Sequence, residues 1–168
     1  MKIRGKQVFL TAAVVVLVLL ANLGPAMAGD YPALEGMKSV QAIFDFRNGD
    51  PASALALLTL IHETYKDQAL RQISAQPKFV LSFIGKSVKL ITSDRAGVAA
   101  GQGKTLDKIA ARLDLMAKDG MRLEVCMAAV RAFKVKPAML LPIISQVPNG
   151  WISLIAYQAH DYALVPVY

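Results

Sequence analysis

Along this chain, short runs of apolar residues with a two-residue beat give way repeatedly to longer stretches in which apolar positions recur every three or four residues. SVQAIFDF, residues 39–46, is rich in apolar and aromatic side chains and runs into the turn signal Arg47-Asn48-Gly49, which predicts a first strand. Asp50-Pro51 then supplies an N-cap followed by proline at the first helical position. Ala54, Leu58, Ile61 and Tyr65 share one face beyond it, so a helix is expected from 51 to about 72, with Glu63, Asp67 and Arg71 on its solvated side. PKFVLSFIG, 77–85, holds an almost unbroken apolar run, the pattern of a strand covered on both faces. SVKLIT, 87–92, predicts another short strand. After the loop SDRAGVAAGQG, the stripe Leu106, Ile109, Leu113, Met116 marks a helix from about 104 to 119, stopped by Gly120.

MRLEVC, 121–126, alternates as a strand, with Met121, Leu123 and Val125 on one side and Arg122, Glu124 and Cys126 on the other. MAAVRAFKV predicts a short helix, and Pro137 starts another through about Ile144, with Pro142 as an awkward interior residue. Asn149 can cap a last helix, WISLIAYQAH, and YALVPVY closes the chain as a strand that Pro166 assigns to a sheet edge. Strands alternating with helices in this order predict an α/β fold: three layers around a mostly parallel sheet of about five strands. In such sheets, functional groups collect at the carboxyl ends of the strands.

The first 28 residues have a different pattern. MKIRGKQ carries Lys2, Arg4 and Lys6, the next seventeen residues are uncharged, and Ala26-Met27-Ala28 fits the small-x-small rule of a cleaved leader. Residues 1–28 therefore predict a signal peptide, and a periplasmic or secreted protein that has no stable membrane insertion after cleavage. The alternative is a retained N-terminal membrane anchor, since the apolar run approaches the ~18 residues that suggest a spanning helix. Residues 29–37 read as a loose lead-in and 38–168 as a single domain. Three of the 19 basic residues and none of the 12 acidic ones fall in the leader, so its removal lowers the net charge from +7 to +4. Without a run of Lys or Arg, that mild excess argues against a nucleic-acid partner.

Candidate chemistry centres on Cys126, the single cysteine, which excludes an internal disulfide and a CxxC redox pair. It ends a predicted strand and precedes a predicted helix, where unpaired backbone N–H groups and the positive end of the helix dipole favour an anion such as a thiolate. Position alone leaves three readings open: a sulfur that does chemistry at the sheet rim, an inert small hydrophobe in the core, or a thiol that pairs between molecules. Asp45, Arg47, Asn48, Lys86 and Asp94 lie at other strand ends. Of these, Arg47, Asn48 and Lys86 are candidate anion-stabilising neighbours, each with an ordinary reading as a turn or surface residue. Gly101-Gln102-Gly103-Lys104-Thr105 imitates the end of a phosphate loop, but Val98 stands where the first glycine is required. His62 and His160 have no metal-ligand spacing, and Trp151 and Tyr157 read as core or subunit-interface aromatics.

Three segments, VQAIFDFRNGDPASALALL, TLDKIAARLDLMAKDGMRLEVC and NGWISLIAYQAHDYALVPVY, together resemble the DsrE/DsrF-like sulfur-relay proteins, in particular an exported subgroup. The specific element is an amphipathic helix, a glycine, a strand and a cysteine that opens the next helix. The resemblance implies a flavodoxin-like subunit that assembles into homo- or hetero-oligomers. It further implies that Cys126 carries sulfane sulfur as a persulfide, exchanged with a donor or acceptor protein, in the manner of a sulfurtransferase-like carrier. No metal or organic cofactor is needed for that exchange. The alternative function is a noncatalytic oligomeric binding protein in which the cysteine is buried and structural.

Overall fold

Five strands form the sheet: β1 (Gln41–Phe46), β2 (Lys78–Phe83), β3 (Arg122–Cys126), β4 (Ser145–Val147) and β5 (Ala163–Val167). Their order is β4-β3-β2-β1-β5, and every neighbouring pair is parallel. The coordinates come from a computed structural model that describes residues 31–96 and 98–168; the expected leader lies outside the described residues. Residues 36–168 make one compact unit. Pro166 sits in β5 at the sheet edge, where a missing N–H interrupts no ladder.

Five helices complete the layers: α1 (Pro51–Lys66), α2 (Gln68–Ile73), α3 (Gln102–Lys118), α4 (Met127–Ala132) and α5 (Gly150–Ala159). The Asp50 carboxylate accepts the Ser53 N–H at 2.8 Å and Pro51 opens α1, as the sequence predicts. The single helix expected to about residue 72 is two. Asp67, at φ −58 and ψ 132, leaves the helical conformation and its side chain accepts the Ala69 N–H, so it ends one helix and caps the next.

Cross-strand pairs fix which face each side chain occupies. Phe79 packs edge-on against Tyr65 of α1, with ring centroids 5.4 Å apart, so Phe79, Leu81 and Phe83 of β2 face the layer formed by α1 and α3. Their in-register neighbours Phe44, Phe46, Leu123 and Val125 face the same way and are buried. The opposite parity, including Asp45, Ser82 and Glu124, faces α5, which alone packs across β1, β2 and β3 on that side.

Two predicted elements are corrected. Residues 87–92 are not a strand. Gly85, with φ +69, turns the chain into the 3-10 segment Gly85–Lys89, and only Thr92 makes an isolated antiparallel bridge, to Leu140. The Ser87 hydroxyl, shared between the carbonyls of Phe46 (2.7 Å) and Ile84 (3.0 Å), pins this turn to the ends of β1 and β2, while Val88, Leu90 and Ile91 are buried outside any strand. The helix expected from Pro137 to about Ile144 is only a 3-10 turn, Pro137–Met139, after which the chain extends into β4. A helix through Pro142 would lose a hydrogen bond and clash with the preceding turn. The sheet thus has the expected number of strands with one member exchanged. No helix among the described residues is long and apolar enough to cross a membrane.

Candidate functional site

Cys126 is the last residue of β3 and the N-cap of α4. Its Sγ accepts the Ala129 N–H at 3.4 Å, the hydrogen bond that serine or aspartate usually makes at this position. Sulfur therefore occupies a seat built for an electron-rich atom. Among the described residues, this is the one hydrogen bond that reaches Sγ.

The other wall of the seat is the start of α5. Asn149 caps that helix by accepting the Trp151 N–H at 3.0 Å, which leaves Gly150 as the first helical residue. A Cβ on Gly150 would lie 2.9 Å from Cβ of Cys126 and 2.9 Å from Cδ1 of Ile84. Only glycine lets the first turn of α5 rest against the cysteine stem. Cys126 does leave the α1/α3 side of the sheet, as its parity with Glu124 predicts, but it enters the space beneath α5 and is 4 % exposed.

A row of polar side chains runs under α5 beside it. Asp45, Ser82 and Glu124 are in register across β1, β2 and β3, and all three are buried. Glu124 Oε1 accepts from Arg122 Nε at 2.7 Å and from the Tyr157 hydroxyl at 2.8 Å. Glu124 Oε2 and Ser82 Oγ have no partner among the described residues. Burial, and then the hydrogen bond to Glu124, push the Tyr157 phenol up to about 12.

Of the predicted anion-stabilising neighbours, Arg47 directs Nε to both oxygens of Asp45, at 3.0 and 2.8 Å. Asn48 accepts the Asp50 N–H at 3.0 Å and donates to Ser53 Oγ at 3.1 Å, which shapes the entrance to α1. Lys86 is exposed, and its stem lies so close to Gly49 that a Cβ there would meet Lys86 Cβ at 2.6 Å. All three are on the rim loops after β1 and β2, and none bonds to Sγ. Asp94 accepts the Ala96 N–H at 2.9 Å and pairs with Lys136 at 3.1 Å, contacts that hold its carboxyl below the usual value. His62 belongs to the α1–α3 contact instead. Arg112 can only donate, so its Nη1 at 3.2 Å makes Nδ1 the acceptor, and Nε2–H donates to Asp119 Oδ2 at 2.7 Å.

Sequence reasoning missed Gly150 and the Glu124–Tyr157 pair. The Asn149-Gly150 dipeptide signals a helix start, but no local pattern reveals which residue that start will press against.

The profile of the DsrE/DsrF-like family matches residues 39–167. The chain belongs to this family. The matched span holds all five strands, Cys126 and α5. An uncharacterized protein of Aquifex aeolicus (strain VF5) is 25% identical over 128 residues, covering 76% of this chain and 56% of that protein, so the chain spans little more than half the length of this relative. Among solved structures, the fold is similar to that of MTH1491, a protein of unknown function from Methanobacterium thermoautotrophicum, with a TM-score of 0.59 and 14% identity. It is also similar to the ychN protein from E. coli, with a TM-score of 0.53 and 15% identity. Each likeness covers 76% of this chain and 99% of the other. At such identities these neighbours speak to the fold alone.

Proposed function

We propose that this chain is an exported DsrE-like subunit of a sulfur relay, which holds sulfane sulfur as a persulfide on Cys126 and passes it to a partner protein. Family membership supports a relay-type role. The observation that carries the finer reading is the seat of Sγ, at the carboxyl end of β3 with the Ala129 N–H directed at it. In the loading step, the Cys126 thiolate attacks the outer sulfur of a donor persulfide, R–S–SH. The Sγ–S bond forms and the S–S bond of the donor breaks. Its electron pair leaves with RS⁻, which takes up the proton that the thiol gave up. The exchange needs no oxidant or reductant. An acceptor thiol unloads the sulfur by the same displacement. Shelter under α5 protects the persulfide from further oxidation, and delivery requires α4 or the segment ahead of Gly150 to open.

The test is incubation of the purified protein with polysulfide, followed by intact-mass measurement. An adduct of about +32 Da that vanishes in Cys126→Ser is expected, and its absence across several donors removes the proposal. The 4 % exposure of Cys126 favours a second reading, a noncatalytic oligomeric binding protein in which the thiol is packing. Alkylation separates the two: modification of the native protein supports the carrier, and protection until denaturant is added supports the structural role.

Assembly with further copies is part of the proposal. Trp151, Ile152 and Ile155 on the outer face of α5 are 60, 64 and 68 % exposed, and Leu164 of β5 lies on the same side of the sheet. A cluster of this kind is better covered than wet, and a second copy is the occupant that the family resemblance implies. Light scattering is expected to give a mass above that of the monomer, reduced in Ile155→Glu. Export rests on the charged, apolar and small-residue pattern of residues 1–28; N-terminal sequencing of the secreted protein is expected to begin at Gly29.

A further inference from the structure

A concavity of about 500 Å³ opens at the carboxyl rim on the α1/α3 side, and Cys126 is not among its walls. Its size is that of a small-molecule site. Leu90, Leu106, Phe133 and Val135 supply apolar walls, and charged groups stand around them. The two carboxylates there are already engaged: Asp50 caps α1 through the Ser53 N–H, and Asp94 holds the Ala96 N–H and Lys136. Lys89 and Lys134 have no carboxylate within ion-pairing distance among the described residues. Lys89 Nζ stands 5.6 Å from the centre of the Phe133 ring. The start of α3 also borders the space at Gln102, with no side-chain cap and no acidic residue in its first turn.

Lys134 is the unusual member. The Lys134 N–H bonds to the Arg131 carbonyl and the Val135 N–H to the Val130 carbonyl, the two bonds of a Schellman ending to α4. The left-handed residue of that motif is usually glycine, yet here a lysine adopts φ +55. A cation thus stands at the wall of the cavity in a backbone conformation that disfavours it.

We propose that this cavity binds a small organic anion, with an apolar body against Phe133 and Leu106 and one acidic head, carboxylate or sulfonate, held by Lys89 and Lys134. The probe is 1-anilinonaphthalene-8-sulfonate, titrated by fluorescence against the whole purified protein, beside N-phenyl-1-naphthylamine, which has the same rings without the acid. Saturable binding of the sulfonate is expected to weaken roughly tenfold in Lys134→Gly and in Lys89→Ala, with the neutral probe bound no differently by the variants. Lys134→Gly relieves the left-handed residue and is expected to melt no lower than the parent, so the loss cannot be assigned to unfolding. Sulfonate affinity in the variants equal to that of the parent, or equal loss of both probes, overturns the proposal.

Discussion

A Cβ added to Gly150 would stand 2.9 Å from Cβ of Cys126, closer than side-chain carbons approach in folded proteins. The start of α5 and the end of β3 are therefore in contact through the absence of a side chain. Gly150→Ala gains helix propensity of about 1 kcal/mol or less, but it must displace Cys126 and Ile84 within a packed interior. The expected net result is a loss of about 1–3 kcal/mol in urea unfolding, accompanied by faster alkylation of Cys126 as α5 is pushed away.

Cys126→Ser separates chemistry from folding. Serine is a preferred N-cap and its oxygen can take the Ala129 N–H that sulfur now accepts. The melting temperature is expected to stay within about 5 °C of the parent while the sulfur adduct is abolished. A large fall in melting temperature would instead assign the thiol to core packing.

Asp119 links acid stability to the α1–α3 contact. Lys66, at 2.7 Å, and then His62, also at 2.7 Å, hold its carboxyl below the usual value. A carboxylate with a lowered value in the folded state binds its proton more weakly there than in the unfolded chain. Its contribution is present above the unfolded value of about 4 and is lost as the pH falls through the lower folded one. Unfolding measured between pH 6 and pH 2 should therefore show a shallower decline in Asp119→Asn than in the parent.

Tyr157 makes the opposite prediction in base. Its phenol is held at about 12 by burial and by the bond to Glu124, so the folded protein keeps a proton that the unfolded chain loses near 10. Stability should fall as the pH rises from 10 to 12, and the phenolate absorbance of this residue should be delayed relative to that of exposed tyrosines. Tyr157→Phe removes one of the two donors to Glu124 Oε1 and is expected to cost about 1–2 kcal/mol at neutral pH. An unchanged midpoint in that variant would show that Arg122 alone satisfies the carboxylate.

The fold was legible where a local cause acts alone. Asp50-Pro51 opens α1, Asn149 caps α5 and Pro166 marks an edge strand, each through chemistry confined to a few residues. Legibility failed where an apolar run could be satisfied in more than one way. Val88, Leu90 and Ile91 read as strand, yet they reach the core from a turn that Ser87 ties to two neighbouring strand ends. Residues 145–147 carry little strand signal of their own and pair only because β3 presents a free edge to them.

The alternation of strands and helices, the position of Cys126 at a strand end and the parity that sends it away from the α1/α3 layer are local properties of the chain. Those follow from periodicity and capping, which act within one turn or one pleat. Tertiary structure decided that the same cysteine is covered, because α5 returns across β3 and rests Gly150 on its stem. It also decided that Glu124 is met by Tyr157 from 33 residues away. Both depend on which elements become neighbours, and that is set by the burial of whole faces and not by any short stretch of chain.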